Sequence, residues 1–454
     1  MKRANILITL LCAALAFGAP LFAQDALESD MERIAEDARK QAEASAQSPE
    51  ASAAPAEPAA PESTVEEPEQ KAKGMPMSEP PKRFFEIGVD VSGGVANNGL
   101  GFSDLFRKEI VLDIPEIQKK VGENGMIAAL SPLVNGFLNI NIGEFLGIGV
   151  FAKMEGDINF TLGSALLDFL ANGNGEKHDM SGEAVSVAGG IFMETGLRGF
   201  LHLDRWTFTA SPAAFVPLVY IPKSTLKYSL NTSNNFKLSV DGKIDVYTPF
   251  SLKEGDYAQI ADMSHAGFDL TIGAEYGLFD WLYVGGTANN IPIIPSTLTH
   301  RMTIKADDLS IGLGDNPLSD PKMETNMEVG DPEYVTDANQ SVSRPLTFDV
   351  YAKWQVLDMR FLKFVLKPNI GFTALTASGD PNFNWGIQAD TSLLFLSFQL
   401  GTGLNQGVWK HRAGIGINLR ILEILAEASL QSTDFLGSFN ASGLGIGVGF
   451  RFGF

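Results

Sequence analysis

The sequence predicts an all-β protein: a transmembrane antiparallel β-barrel of about fourteen strands, with a short helical plug or loop element and a disordered N-terminal tether. Three observations predict it. Residues 443 to 454 carry Leu444, Ile446, Val448, Phe450, Phe452 and Phe454 at every even position, with only glycine or Arg451 between them. Successive strand side chains point to opposite faces, so one face is wholly apolar and the other nearly bare. The same alternation recurs along the chain, and the connections between alternating segments sort by length: one set is tight, and the alternate set holds nearly all the long ones, only those near Gly379, Gln406 and Gly437 being short.

The chain opens with Lys2 and Arg3, an apolar stretch from Ile6 to Phe17 and small residues up to Ala23. This reads as a signal peptide over 1–23, cleaved after Ala23, and implies export. The single cysteine, Cys12, lies in that stretch, so the mature chain is expected to hold no disulfide. Residues 24–81 turn to Ala, Glu, Pro and Ser, with 14 acidic against 5 basic residues. Too little apolar surface is available there to offset ordering entropy, so a disordered acidic tether is expected.

The barrel is expected over 82–454. Its strands read as 84–95, 133–143, 145–158, 184–203, 205–221, 264–278, 281–299, 343–357, 362–375, 381–393, 394–405, 408–420, 422–432 and 441–454. Within them Phe268, Leu270 and Ile272 alternate with Asp269, Thr271 and Gly273, and Phe348, Val350 and Trp354 alternate with Asp349, Tyr351 and Lys353. Glu86, Asp90, Asp269, Glu275, Asp349, Lys353 and Arg451 fall opposite the apolar face and are candidates to line the lumen.

Tight connections fall near Gly143, Asp204, Phe279, Asp358, Leu393 and Ile421; the alternate set includes 96–132, 159–183, 222–263 and 300–342. Outer-membrane barrels have short periplasmic turns and longer outer loops, which places the tether in the periplasm. Phe450, Phe452 and Phe454 resemble the C-terminal assembly signal of such barrels, with membrane lipid and the barrel-assembly machinery as the partners implied.

Two regions interrupt the pattern. Residues 102–120 are charged and helical in spacing, and either plug the lumen or cap an outer loop. The segments PAAFVPLVYIPKSTL (212–226) and NIPIIPSTL (290–298) bring Pro212, Pro217, Pro222, Pro292 and Pro295 into strand ends. Proline cannot donate to a ladder, so bends or gaps in the wall are expected there, as splayed ends or as a lateral opening.

A formal charge of -20 argues against nucleic acid as a partner. His265, His300 and His411 are expected near the rim, with Asp262 and Ser264 beside the first, but no nucleophile elbow or spaced metal-ligand motif accompanies them. Neither catalysis, metal nor cofactor is expected. The plan of a barrel with a plug candidate near its N-terminus and interrupted wall strands is similar to the FadL-type transporters of fatty acids and other hydrophobic compounds. That resemblance implies passage of small hydrophobic molecules. The family's Asn-Pro-Ala motif has no counterpart, the nearest text being Asn97, Asn98 and Gly99, so no ligand residue carries over. A water-filled porin with a cation preference, and a surface protein working through its long loops, are the alternatives. The sequence leaves the oligomeric state open.

Overall fold

The computed structural model describes residues 83–101, 113–143, 145–172, 179–231, 237–252, 263–306, 309–313, 323–326, 332–359, 361–419, 421–439 and 442–454. The signal peptide 1–23 with Cys12, the tether 24–81, residues 102–112 of the candidate plug and Asp262 lie outside the described residues.

The first half of the chain supplies β1 (Phe85–Asn97), β2 (Met126–Ile142), β3 (Leu146–Leu162), β4 (Asp179–Leu203), β5 (Trp206–Asn231), β6 (Lys237–Thr248), β7 (Gly267–Phe279) and β8 (Leu282–Ile294). Six short strands follow: β9 (Ser296–Leu298), β10 (His300–Lys305), β11 (Leu309–Leu313), β12 (Met323–Asn326), β13 (Glu333–Val335) and β14 (Gln340–Val342). The rest are β15 (Leu346–Met359), β16 (Leu362–Ala374), β17 (Asn382–Leu393), β18 (Leu396–Asn405), β19 (Val408–Asn418), β20 (Leu422–Ser432) and β21 (Leu444–Gly453). Helices α1 (Ile114–Val121), α2 (Ser164–Asn172) and α3 (Phe435–Phe439) lie in connections.

Fourteen strands form a closed antiparallel ring: β1 to β5, then β7, β8 and β15 to β21, with β21 returning to β1. Pairing continues from β16 to β21 in the same antiparallel sense. The seam runs from Glu86↔Gly453 to Val95↔Leu444. Beyond it, Phe85 and Phe454 exchange backbone hydrogen bonds of 3.1 Å, and their rings stack at 5.6 Å. Each of the fourteen wall strands overlaps one segment marked by alternation, but the marked segment 281–299 is broken at Pro295, β8 ending at Ile294 and β9 leaving the wall. β2 begins earlier than that pattern, continuing its ladder with β3 out to Met126↔Leu162, and β5 ends later, where it pairs with β6.

The ring exposes its apolar face. Ile446 is 73% exposed, Leu400 62% and Val350 60%, and comparable residues stand on the same face of the other wall strands. A band of this kind is a lipid contact. No described helix is long and apolar enough to cross a membrane. One end of the ring, the turn end, gathers the tight connections and both Phe85 and Phe454; Asp204 and Leu394 take positive φ there, at 53° and 54°. Phe84, Phe145, Trp206, Trp281, Phe361 and Phe395 stand exposed around that end as an interfacial aromatic girdle.

The opposite, loop end is elaborated. β6 pairs with β5, β10 and β11, and β13 and β12 extend that sheet. Within it Asp245 accepts from the Thr303 hydroxyl at 2.6 Å and lies 3.0 Å from Lys243. Burial pushes the Asp245 carboxyl up, but Thr303, Lys243 and Arg301 outweigh it and hold the group below the ordinary carboxylate value. In contrast, β9 and β14 pair only with each other, in a sheet separate from the barrel.

Helix α1 is locally well specified. Asp113 caps it by accepting from the Glu116 N–H at 3.0 Å, Pro115 sits in its first turn, Lys119 and Lys120 fall in its last, and Gly122 ends it at φ 58°. Ile117 and Val121 are its buried residues. Gln118 reaches Asp168 of α2 at 3.5 Å, and Ile117 lies beside Gly99 just beyond the loop end of β1. The described part of 102–120 is therefore a cap at the loop-end rim.

Candidate functional site

The lumen is built by a recurring pairing. Phe137, Phe200, Phe215 and Tyr351 each face a glycine directly across a strand pair, at Gly88, Gly147, Gly267 and Gly285. Each ring occupies the place where a Cβ on that glycine would stand. The aromatics thus lie flat against the inner wall, and space remains beside them. It forms a cavity of about 990 Å³. Its lining is strongly charged, with Lys153, Asp157, Lys367, Lys410, Arg412 and Glu427 among the contributors.

The seven predicted lumen residues separate into groups. Near the turn end, Glu86 lies 3.8 Å from Arg83, and Arg451 lies 3.9 Å from Asp90 and 3.7 Å from Glu423. Further in, Glu275 and Lys353 form a buried ion pair at 2.5 Å. Asp349 accepts from Asn289 at 3.1 Å, and it and Lys353 line the cavity. Asp269 is 1% exposed and is engaged by Arg344, a residue that the sequence pattern did not single out.

Arg344 sits in the link between β14 and β15, and its side chain is 2% exposed. Its Nε and one terminal nitrogen donate to the two oxygens of Asp269 at 2.7 and 2.9 Å. The other terminal nitrogen lies 2.5 Å from Glu194 and 3.5 Å from Glu155, and the guanidinium stands 5.5 Å from the Phe215 ring centroid. Lys153 completes the network, 2.6 Å from Glu155 and 3.3 Å from Glu194. A signal was present in the sequence: Glu155, Glu194 and Asp269 all face inward on β3, β4 and β7, and Lys153 with Arg198 cannot balance three carboxylates.

Above this network the β9–β14 pair packs on the inner wall. Leu298 and Val342 join Phe192, Phe215 and Tyr247 in one apolar cluster, with Tyr220 and Ala338 against it. Among the described residues, the β9–β14 pair of the β8–β15 connection is the element packed on the inner wall; residues 102–112 of the segment that the sequence offered as a plug lie outside the described residues.

The five prolines lie as follows. Pro212 faces Leu270 of β7, and on its β4 side falls between the pairs Gly199↔Ala210 and Gly196↔Ala213. Pro217 and Pro222 stand at register shifts between β4 and β5, and Pro292 at one between β7 and β8. Pro295 separates β8 from β9. Between Phe215↔Gly267 and Tyr220↔Tyr247, β5 changes partner from β7 to β6. Val216 to Val219 therefore have no ladder partner on that edge among the described residues. A pocket of about 200 Å³ opens at this notch, lined by Val216, Pro249, Ser296 and Thr297 together with His265 and His300.

The third rim histidine is occupied structurally. His411 bonds Thr402 at 2.8 Å and Ser438 of α3 at 2.7 Å, and its ring stacks on Phe439 at 4.2 Å. Among the described residues no cluster of three or more His, Cys, Asp or Glu side chains is arranged to hold a metal.

No protein-family model and no curated protein matches the chain. Solved structures similar to it include the Ralstonia pickettii toluene transporter TbuX, at 10% identity over 82% of this chain and 90% of that one, with a TM-score of 0.43. A Pseudomonas aeruginosa FadL homologue matches at 10% identity over the same shares, with a TM-score of 0.41. The Pseudomonas putida toluene transporter TodX matches at 8% identity over 81% of this chain and 87% of that one, with a TM-score of 0.38.

Proposed function

We propose that the protein is an outer-membrane channel through which small hydrophobic molecules leave the lumen sideways at the β5 notch. The loop end faces outward and the tether over 24–81 lies in the periplasm. The observation that carries this reading is the partner switch of β5 around Pro217, where Val216 to Val219, paired with β4 on one edge, lack a ladder partner on the other among the described residues and a pocket of about 200 Å³ opens. A small molecule entering that notch would meet Val216 and Pro249 on one side and the hydroxyls of Ser296, Thr297 and Thr299 with the imidazoles of His265 and His300 on the other. The test is uptake of a small aromatic hydrocarbon or a medium-chain fatty acid into proteoliposomes. Val216→Trp or Thr297→Trp, each filling the notch, should lower uptake roughly tenfold by loss of the apolar binding volume and leave ion conductance alone. Uptake unchanged in both variants would rule the route out.

A second reading, a water-filled passage for polar solutes, is favoured by the charged lining of the 990 Å³ cavity. Large, steady, weakly cation-selective openings in planar bilayers would establish it in place of the first.

A further inference from the structure

Residues 295–345 leave the wall at Pro295 and rejoin it at Leu346, and between these points the chain enters the lumen as the β9–β14 pair. Besides the hydrogen bonds of Ser296 to the His265 carbonyl and of Asn290 to the Pro345 carbonyl, two grips hold it there. One is the apolar contact of Leu298 and Val342 with Phe192 and Phe215. The other is the single side chain of Arg344, with Asp269, Glu194 and Glu155 around it.

We propose that Arg344 is the latch of a lumenal gate and that its seat is a guanidinium-binding site, filled by the chain's own arginine when the insert is in place. The seat has the parts such a site needs. Asp269 offers both oxygens in the plane of the fork, Glu194 takes the remaining nitrogen, and Phe215 lends an aromatic ring to the cation. Arg344, Glu194, Glu155 and Lys153 also line the cavity, so the seat is reached from the lumen. With Arg344 withdrawn, three carboxylates would face Lys153 and, beside Glu194, Arg198, a net negative buried site that draws in a replacement cation. Because the β9–β14 pair shares no ladder with the barrel, it can move off the inner wall with every wall ladder intact, giving up the Ser296 hydroxyl's bond to the His265 carbonyl. The latch holds for either passage reading, since it concerns what closes the lumen and not what crosses it.

Hydrogen exchange on the full-length protein in lipid tests this without any transport assay. Arg344→Ala should speed exchange over 296–298 and 340–342 roughly hundredfold while β15 to β21 keep their protection. Guanidinium chloride at about 50 mM, far below denaturing levels, should restore that protection in Arg344→Ala where sodium chloride does not. Adding Asp269→Asn should abolish the rescue. Arg344→Lys, which keeps the charge and loses the fork, should exchange at an intermediate rate. Wild-type protection in Arg344→Ala, equal rescue by sodium chloride, or an Arg344→Lys variant identical to wild type would each overturn the proposal. So would a general loss of protection over β15 to β21, which would make Arg344 a folding residue of the whole barrel.

Discussion

Lys353 and Glu275 stand 2.5 Å apart, with 11% and 4% of their side chains exposed, and Lys353 also lies 5.2 Å from the Tyr351 ring centroid. A buried pair of this kind gains little over an apolar substitute, because desolvation of both charges offsets their attraction; removing one partner is different, since the other is stranded. Lys353→Met should therefore destabilise the barrel by about 3–5 kcal/mol in a denaturant titration. The double variant with Glu275→Gln should recover most of that loss. Both residues were legible in the sequence as inward-facing charges, because alternation assigns a face to every residue of a strand. Their pairing was not, since it depends on β7 and β15 both flanking β8, with the second arriving only after a long insert. Arg344 was hidden for a stronger reason: it lies in a link with no period to read.

At the scale of elements, the opposition of aromatic and glycine decides how the wall is packed. The Phe200 ring covers Gly147, its direct partner across β3 and β4, whereas Gly93 has nothing within 4 Å of where a Cβ would stand. Gly147→Ala should drive Phe200 off the wall and cost about 1–3 kcal/mol as an overpacked site. Gly93→Ala should be nearly neutral, and Phe200→Ala should erase most of the penalty at Gly147 in a double-mutant cycle, read by denaturant unfolding. Elements in contact with lipid were the ones that the sequence made plain, because the bilayer demands an unbroken apolar face over each crossing. Strands such as β9 and β14, three residues each and buried on protein, carry no such demand. Segment 102–120 was marked as unusual by its charge and spacing; its described part earns that character by capping β1 and contacting α2.

For the molecule as a whole, the architecture was readable to the level of strand number and connection parity, and the contents of the lumen were not. The wall follows a rule that repeats fourteen times, while what fills it is written once, between Pro295 and Pro345. That interval has a consequence for how the protein can be altered. β8 and β15 are already neighbours, paired from Leu282↔Trp354 to Asn289↔Thr347. The ring is thus complete without the fifty or so residues between Pro295 and Pro345, which makes them an interchangeable cassette mounted on a finished frame. Replacing 295–345 by a short turn should yield a protein that still folds as a closed barrel, judged by strand circular dichroism and its shifted gel mobility before heating, and that conducts more in planar bilayers. A lineage could then change what such a frame admits by swapping one loop, with selection on permeability acting apart from selection on membrane insertion.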